Sequence, residues 1–327
     1  MIKNSLIFSV EFSGKTGGKI MTKEQYLKNL DLPKGKIDVI LDTDAFNEID
    51  DQFAISLLLK SEDRFRIKAI TAAPFFNEKA QSPADGMEKS YNEILKLLSV
   101  AGKAELNDKV FRGSERYLEN EKTFVPSDAA DAIIEIAKGY SAENPLYVIG
   151  IGAITNIASA LIKAPEIAEK IVVLWLGGNA VYSNDNYEFN IRQDVAAARV
   201  VMDSVCPFIL FPCQGVTDVC RTTGTDLKFW LKGKNALCDY LVDYTCMQAG
   251  KEAKTKAWGR VVWDIVTVVW FLRNEGYASE LIKAPIPEYD HKWSQATEDR
   301  KTIRCITHID ADTVFDELYT RLTGKPL

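Results

Sequence analysis

Ile37-Asp38-Val39-Ile40-Leu41-Asp42-Thr43-Asp44-Ala45-Phe46-Asn47-Glu48-Ile49-Asp50-Asp51 sets the pattern for the rest of the chain. The run Ile37 to Leu41 reads as a buried strand, because a continuous apolar segment this short suits a strand covered on both faces. Asp51 to Lys60 reads as the helix that follows. The alternation recurs downstream. Phe65 to Thr71 is a second strand, and Pro83 opens a helix running to about Ser99. Leu146 to Ile149 is a third strand, with Asn156 to Lys163 as its helix. Ile171 to Leu176 and Phe208 to Phe211 are a fourth and a fifth. The chain then turns helical through Ala236 to Gly250 and Trp263 to Asn274, before a late strand at Thr302 to Thr307 and a closing helix. Such alternation predicts an α/β fold with a mainly parallel central sheet flanked by helices. No repeat or Gly/Ser linker interrupts it, so residues 37–327 read as one domain and residues 1–36 as an N-terminal extension.

Composition narrows the function classes. The 327 residues carry 40 Lys and Arg against 46 Asp and Glu, a formal charge of −6, which argues against a protein that tracks nucleic-acid phosphates. No run approaches the ~18 apolar residues of a membrane helix. Of the two histidines, His291 and His308, neither stands in an HExxH motif, and a Ser-His-Asp triad would need one of them. The six cysteines form no CxxC pair, so free thiols in a reducing, cytoplasmic compartment are expected. Ser5 to Val10 is interrupted by Glu11 and reads as no signal peptide, and Met21 is an alternative start. Ser9 to Thr16 approaches a P-loop but lacks its first glycine.

The turn after the first strand packs five acids into the ten residues Asp42 to Asp51. Crowded carboxylates repel one another and resist desolvation. Asp50 or Asp51 as a helix N-cap would account for one of them, but not for Asp42 and Asp44 as well. A hard divalent cation accounts for the group, since Ca²⁺ and Mg²⁺ take closely spaced carboxylate oxygens.

Asp-x-Asp at a strand end followed by Asp-Asp opening a helix resembles the inosine–uridine nucleoside hydrolase family. Five residues separate Asp44 from Asp50, as in a longer-loop branch of that family. The resemblance implies a Rossmann-like fold and Ca²⁺ bound by Asp44 and Asp51. Asp44 would also take the proton of the attacking water, Asp50 would hold a ribose hydroxyl, and Asp42 would support them. Ile149-Gly150-Ile151-Gly152-Ala153-Ile154-Thr155-Asn156 is similar to the family segment whose backbone carbonyl, here that of Ile151, completes the metal shell. A dinucleotide fingerprint is the poorer reading, because Thr155 replaces its last glycine. A plain strand-to-helix turn capped by Asn156 is the structural alternative.

Three further pieces carry the resemblance. Glu188-Phe189-Asn190 resembles the family's pair of sugar-binding side chains, and Asn77 resembles another ribose-facing asparagine. Asn179, Asn184 and Asn186 compete for one more such role. Val262-Trp263-Asp264 heads an apolar helix, and Asp264 matches the last metal ligand. Trp263 stands where many members carry histidine, which resembles the purine-preferring branch, where an indole stacks on the leaving base and so takes part in catalysis; a core aromatic is the alternative. Phe75, Phe76, Tyr117 and Phe124 are candidates for a second stacking ring.

The implied activity is Ca²⁺-dependent hydrolysis of a ribonucleoside to ribose and free base, by a homo-oligomer, dimer or tetramer. Two rivals remain. One is a Mg²⁺-dependent phosphoryl-transfer enzyme built on Asp42-x-Asp44, which leaves Asp50-Asp51, Glu188 and Asp264 unexplained. The other is a nucleoside- or sugar-binding protein of the same fold without turnover.

Overall fold

The computed structural model describes residues 21–250 and 255–325. The Ser5–Val10 and Ser9–Thr16 segments lie outside these residues. An eight-stranded sheet is built from β1 (Ile37–Thr43), β2 (Phe65–Ala72), β3 (Val110–Phe111), β4 (Leu146–Gly150), β5 (Ile171–Leu176), β6 (Phe208–Phe211), β7 (Tyr277–Lys283) and β8 (Thr302–Ile309). Their spatial order is β3-β2-β1-β4-β5-β6-β8-β7. Every neighbouring pair is parallel except β8 and β7.

Strand pleating divides the core in two. Val39, Leu41, Ile149 and Leu174 face one side, with α2 (Asp50–Leu59), α3 (Pro83–Val100), the helix Ile265–Leu272 and the closing helix Ala311–Thr323. Ile40, Val148, Val173 and Trp175 face the other, against α4 (Asp128–Ala137), α5 (Thr155–Lys163) and α7 (Val195–Asp203). Successive strand residues point to opposite faces, so an uninterrupted apolar run serves both cores.

Several boundaries shift from the sequence reading, and each shift bears on the site. β1 continues through Asp42 and Thr43, so Asp42 lies in the sheet rather than in the turn. α2 begins at Asp50 with Ile49 at its N-cap, and no side chain caps it; neither Asp50 nor Asp51 is a cap. α5 begins at Thr155, with Ile154 at its cap, so Asn156 is not a cap either. The apolar helix begins at Ile265 with Asp264 at its N-cap, two residues later than read. Ahead of β1, α1 (Lys23–Asn29) leads into Leu30, which is fully buried in the first core. Tyr26 Oη donates to Thr302 O and Arg304 Nε to Leu30 O, tying this segment to β8.

Candidate active site

In a parallel sheet, ligands bind beyond the carboxyl ends of the strands. The carboxyl end of β1 and the start of α2 bring Asp42, Asp44, Asp50 and Asp51 together, all buried, and Asp264 joins them from the head of its helix. Asp50, Asp51 and Asp264 each offer an oxygen within 4.8 Å of the others, a grouping able to hold a metal ion. Asp44 is not in that tightest group but stands beside it. Its carboxyl is held well above the carboxylate range, first by burial and then by the charges of Asp51, Asp50 and Glu48. Asp50 and Asp264 are pushed up in the same way, and Asp51 rises to about 7.

Compensation at this cluster is sparse. Thr43 Oγ1 donates to Asp51 Oδ1, and Trp263 N donates to Asp50 Oδ2 at 3.2 Å. Asp44 Oδ2 is buried with no hydrogen-bond partner among the described residues. The backbone leaves it room at Gly152, where a Cβ would lie 3.0 Å from Asp44 Cγ. An unpartnered buried oxygen in a cluster of mutually repelling carboxylates is what a hard cation satisfies. All the donors are oxygens, which suits Ca²⁺ or Mg²⁺ better than a thiophilic metal.

Asp42 sits behind the cluster. Its Oδ1 accepts from Thr71 Oγ1 at 2.6 Å and Asn156 Nδ2 at 2.8 Å, and burial raises its carboxyl to about 6. Asn156 also accepts from Ser114 N and Oγ and donates to Ala72 O, so it ties β1, β2 and the chain after β3 together. Ile151 is buried at the end of β4, and its carbonyl accepts from Asn190 Nδ2 at 3.3 Å.

The remaining residues form a second wall. Glu188 caps α6 (Phe189–Gln193): its oxygens accept from Gly178 N, Asn190 N and Ile191 N. Asn190 Nδ2 also donates to Leu176 O at 3.0 Å. Asn77 Nδ2 donates to Asn47 Oδ1 at 2.7 Å, and Lys79 Nζ donates to Asn47 O at 2.7 Å. Among the three competing asparagines, Asn184 is exposed, whereas Asn179 N donates to Asn186 Oδ1 and both residues are buried. Trp263 is half-buried against the first core. Among the candidate second aromatics, Phe75 is fully buried in the interior and Phe124 lies under Lys163, while Phe76 and Tyr117 line a cavity of about 310 Å³.

Sequence reasoning missed Asn47 and Lys79. Lys79 follows Asn77 by two residues, and its amine faces Glu48, Asp50 and Asp51, with burial pushing its pKa down. The Asn77-Glu78-Lys79 run carried the signal, but a lysine in a polar loop is ordinarily solvated. The cavity residues Arg192, Gln193 and His291 were missed too, because they come from segments far apart in the chain.

Residues 39–316 match the model of the inosine-uridine preferring nucleoside hydrolase family. An uncharacterised protein of Schizosaccharomyces pombe is 26% identical over 211 residues, 61% of this chain and 67% of that one. The pyrimidine-specific ribonucleoside hydrolase RihA of Escherichia coli O1:K1 is 24% identical over 272 residues, 73% of this chain and 80% of its own. Among solved structures, the purine-preferring ribonucleoside hydrolase from Gardnerella vaginalis superposes with a TM-score of 0.70 at 22% identity, covering 88% of this chain and 98% of that one. An inosine-guanosine nucleoside hydrolase superposes at 0.68, also at 22% identity, covering 89% and 99%.

Proposed function

Because the chain belongs to the inosine-uridine preferring nucleoside hydrolase family and is thereby an N-glycosyl hydrolase, we propose that it cleaves ribonucleosides to ribose and free base in a Ca²⁺-dependent reaction, with a preference for purines. The observation that carries this reading is the buried group Asp50, Asp51 and Asp264, with the orphaned oxygen of Asp44 beside it. Asp44, Asp51, Asp264 and the Ile151 carbonyl would hold the cation. When bound, Ca²⁺ supplies a lowered pKa to an attached water and two points of attachment for vicinal hydroxyls.

The chain's own residues do the rest. Asp44 Oδ2, with no donor of its own, takes the proton of the attacking water. Asp50 keeps one oxygen on Trp263 N and leaves the other for a ribose hydroxyl. Asn77, Glu188 and Asn190 orient the sugar. As the glycosidic bond lengthens, positive charge grows on the sugar, and the surrounding carboxylates stabilise it. Trp263 stacks on the departing base, a contribution of about 1–3 kcal/mol. A purine preference is supported by Trp263 at this position, while the similarity to a pyrimidine-specific enzyme favours the opposite choice.

Incubation with a panel of nucleosides, first with Ca²⁺ and then with chelator, tests the reading through released reducing sugar. Chelator-sensitive release, fastest with inosine or guanosine, is the expected result. Release mainly from uridine discards the purine preference alone. No release from any nucleoside by folded, Ca²⁺-loaded protein overturns the proposal. Trp263→Ala should lower kcat/KM for inosine more than for uridine.

A further inference from the structure

Beside the acid cluster lies the 310 Å³ cavity lined by Phe76, Tyr117, Tyr187, Arg192, Gln193 and His291. Its polar groups are arranged unlike those of an ordinary surface cleft. Gln193 Oε1 accepts from Phe76 N at 2.9 Å and from Tyr117 Oη at 2.7 Å, which fixes the amide and leaves its Nε2 donor buried without an acceptor. His291 Nδ1 is likewise buried without a partner. His291 is held at φ 60°, the sole non-glycine residue with positive φ among those described, with its ring edge-on to Tyr187 at 4.8 Å. A non-glycine residue in that region costs conformational energy, which surrounding structure must offset.

Arg192 supplies the charge. Its guanidinium lies over the rings of Tyr187 at 4.8 Å and Phe189 at 5.0 Å and near the Tyr117 hydroxyl. The acids near it are engaged elsewhere. Asp194 accepts from Leu118 N, Thr155 Oγ1 and Ala197 N, and Glu119 pairs with Arg116 at 3.9 Å. A stacked guanidinium, with an amide nitrogen and an imidazole nitrogen that lack partners, lines one cavity, and these are the groups a phosphate or carboxylate recruits. The cavity adjoins the reaction centre: Phe76 precedes Asn77, and Tyr117 feels the charge of Asp44.

We propose that this cavity receives a negatively charged group of the substrate, held by the Arg192 guanidinium and the Gln193 amide, so that the chain acts on anionic N-ribosides. The inference rests on the proposed N-glycosidic activity and specifies its substrate class. The charge is carried either by a phosphate ester on the sugar or by a carboxylate on the base, and both supply the same acceptor oxygens. Close to an acidic cluster, such a counter-charge favours the approach of an anionic substrate.

Two matched pairs test it: inosine against inosine 5′-monophosphate, and uridine against its base-carboxylated form, orotidine. Each ligand is measured by hydrolysis and by calorimetric binding to the Ca²⁺-loaded full chain, for the native protein, Arg192→Ala and Gln193→Glu. Gln193→Glu keeps the acceptor for Phe76 N and Tyr117 Oη and replaces the orphan donor with an oxygen, so it guards against a folding artefact in the other variant. In one pair the charged member should be favoured by at least about ten-fold, and both variants should remove that advantage. The pair that responds identifies the source of the charge. Equal or better use of the neutral member in both pairs, or an advantage that survives both substitutions, overturns the inference. Charge-dependent binding lost in the variants, without hydrolysis of any ligand, keeps the cavity assignment and overturns the proposed activity.

Discussion

Two walls of the site both bury carboxylates, and they treat them in opposite ways. Glu188 and Asp194 are each raised by burial, Asp194 to about 6, yet each accepts three hydrogen bonds that hold loops and helix ends in place. Asp44, Asp50, Asp51 and Asp264 are raised by burial and also by one another, which the donors Trp263 N on Asp50 and Thr43 Oγ1 on Asp51 do not offset, and an oxygen of Asp44 is left bare. A folded chain tolerates unsatisfied buried charge where something outside the chain completes it. Asp194 is architecture, and Glu188 holds the loop and helix end around the proposed sugar site. The unsatisfied acids form a grouping able to hold a cation, which the proposed function uses for a metal ion and for the charge that would grow on the sugar.

The sharpest way to break this contrast is Asp44. Asp44→Asn should lower kcat by at least about 10²-fold, since a proton acceptor is lost. It should leave the melting temperature of the cation-free protein unchanged or higher, since repulsion is relieved. Steady-state kinetics with thermal melts check both; a large fall in stability would place Asp44 with the architectural acids.

Next in size is the response to Ca²⁺. Asp51 holds its proton up to about pH 7 in the folded chain, against about 3.9 when unfolded. Between those values the folded state binds more protons, so this contribution to stability is complete below about pH 4 and is lost as pH rises through about 7. The cation-free protein should therefore melt progressively lower across that window. Ca²⁺ should restore stability increasingly toward pH 7, by about 2.7 kcal/mol at a hundred times its Kd. Scanning fluorimetry of native protein and Asp264→Asn checks this, and the variant should lose most of the gain.

The fold was legible in the sequence where parallel pairing demands uninterrupted apolar runs. β5 and β6 match the sequence reading residue for residue. β7 (Tyr277–Lys283) escaped notice because an antiparallel edge strand with scattered exposed residues has no such run. α7 escaped because Asp194 ends α6 and caps α7 at once, leaving no linker to mark it. The acids of the site were legible as a cluster, since acids in apolar surroundings are costly. Their division was not: that Asp50 rather than Asp44 lies in the tightest group depends on β1 running through Thr43 and α2 starting at Asp50.

A smaller effect belongs to the satisfied wall. Asp194→Ala removes the α7 cap and strands Leu118 N and Thr155 Oγ1, and should cost about 1–3 kcal/mol in urea unfolding. The Ca²⁺-dependent gain in stability should survive it. A variant that unfolds normally but no longer responds to Ca²⁺ would join the two walls into one unit.

Asp42 lies on the boundary between the two classes, and its substitution should produce the smallest change. Oδ1 accepts from Thr71 and Asn156 as an architectural acid would, while Oδ2 is buried without a partner. Asp42→Asn keeps the acceptor and removes a buried charge, so the lost charge-assisted bonding and the relieved desolvation oppose each other. Stability near pH 7 should therefore change by no more than about 1 kcal/mol. The folded carboxyl titrates at about 6, so the variant should also lose a fall in stability that the native protein shows as pH rises from about 4 through 6. Urea unfolding at pH 4.5 and 7 measures both. If the variant instead loses its response to Ca²⁺, Oδ2 faces the cation and Asp42 belongs with the unsatisfied wall.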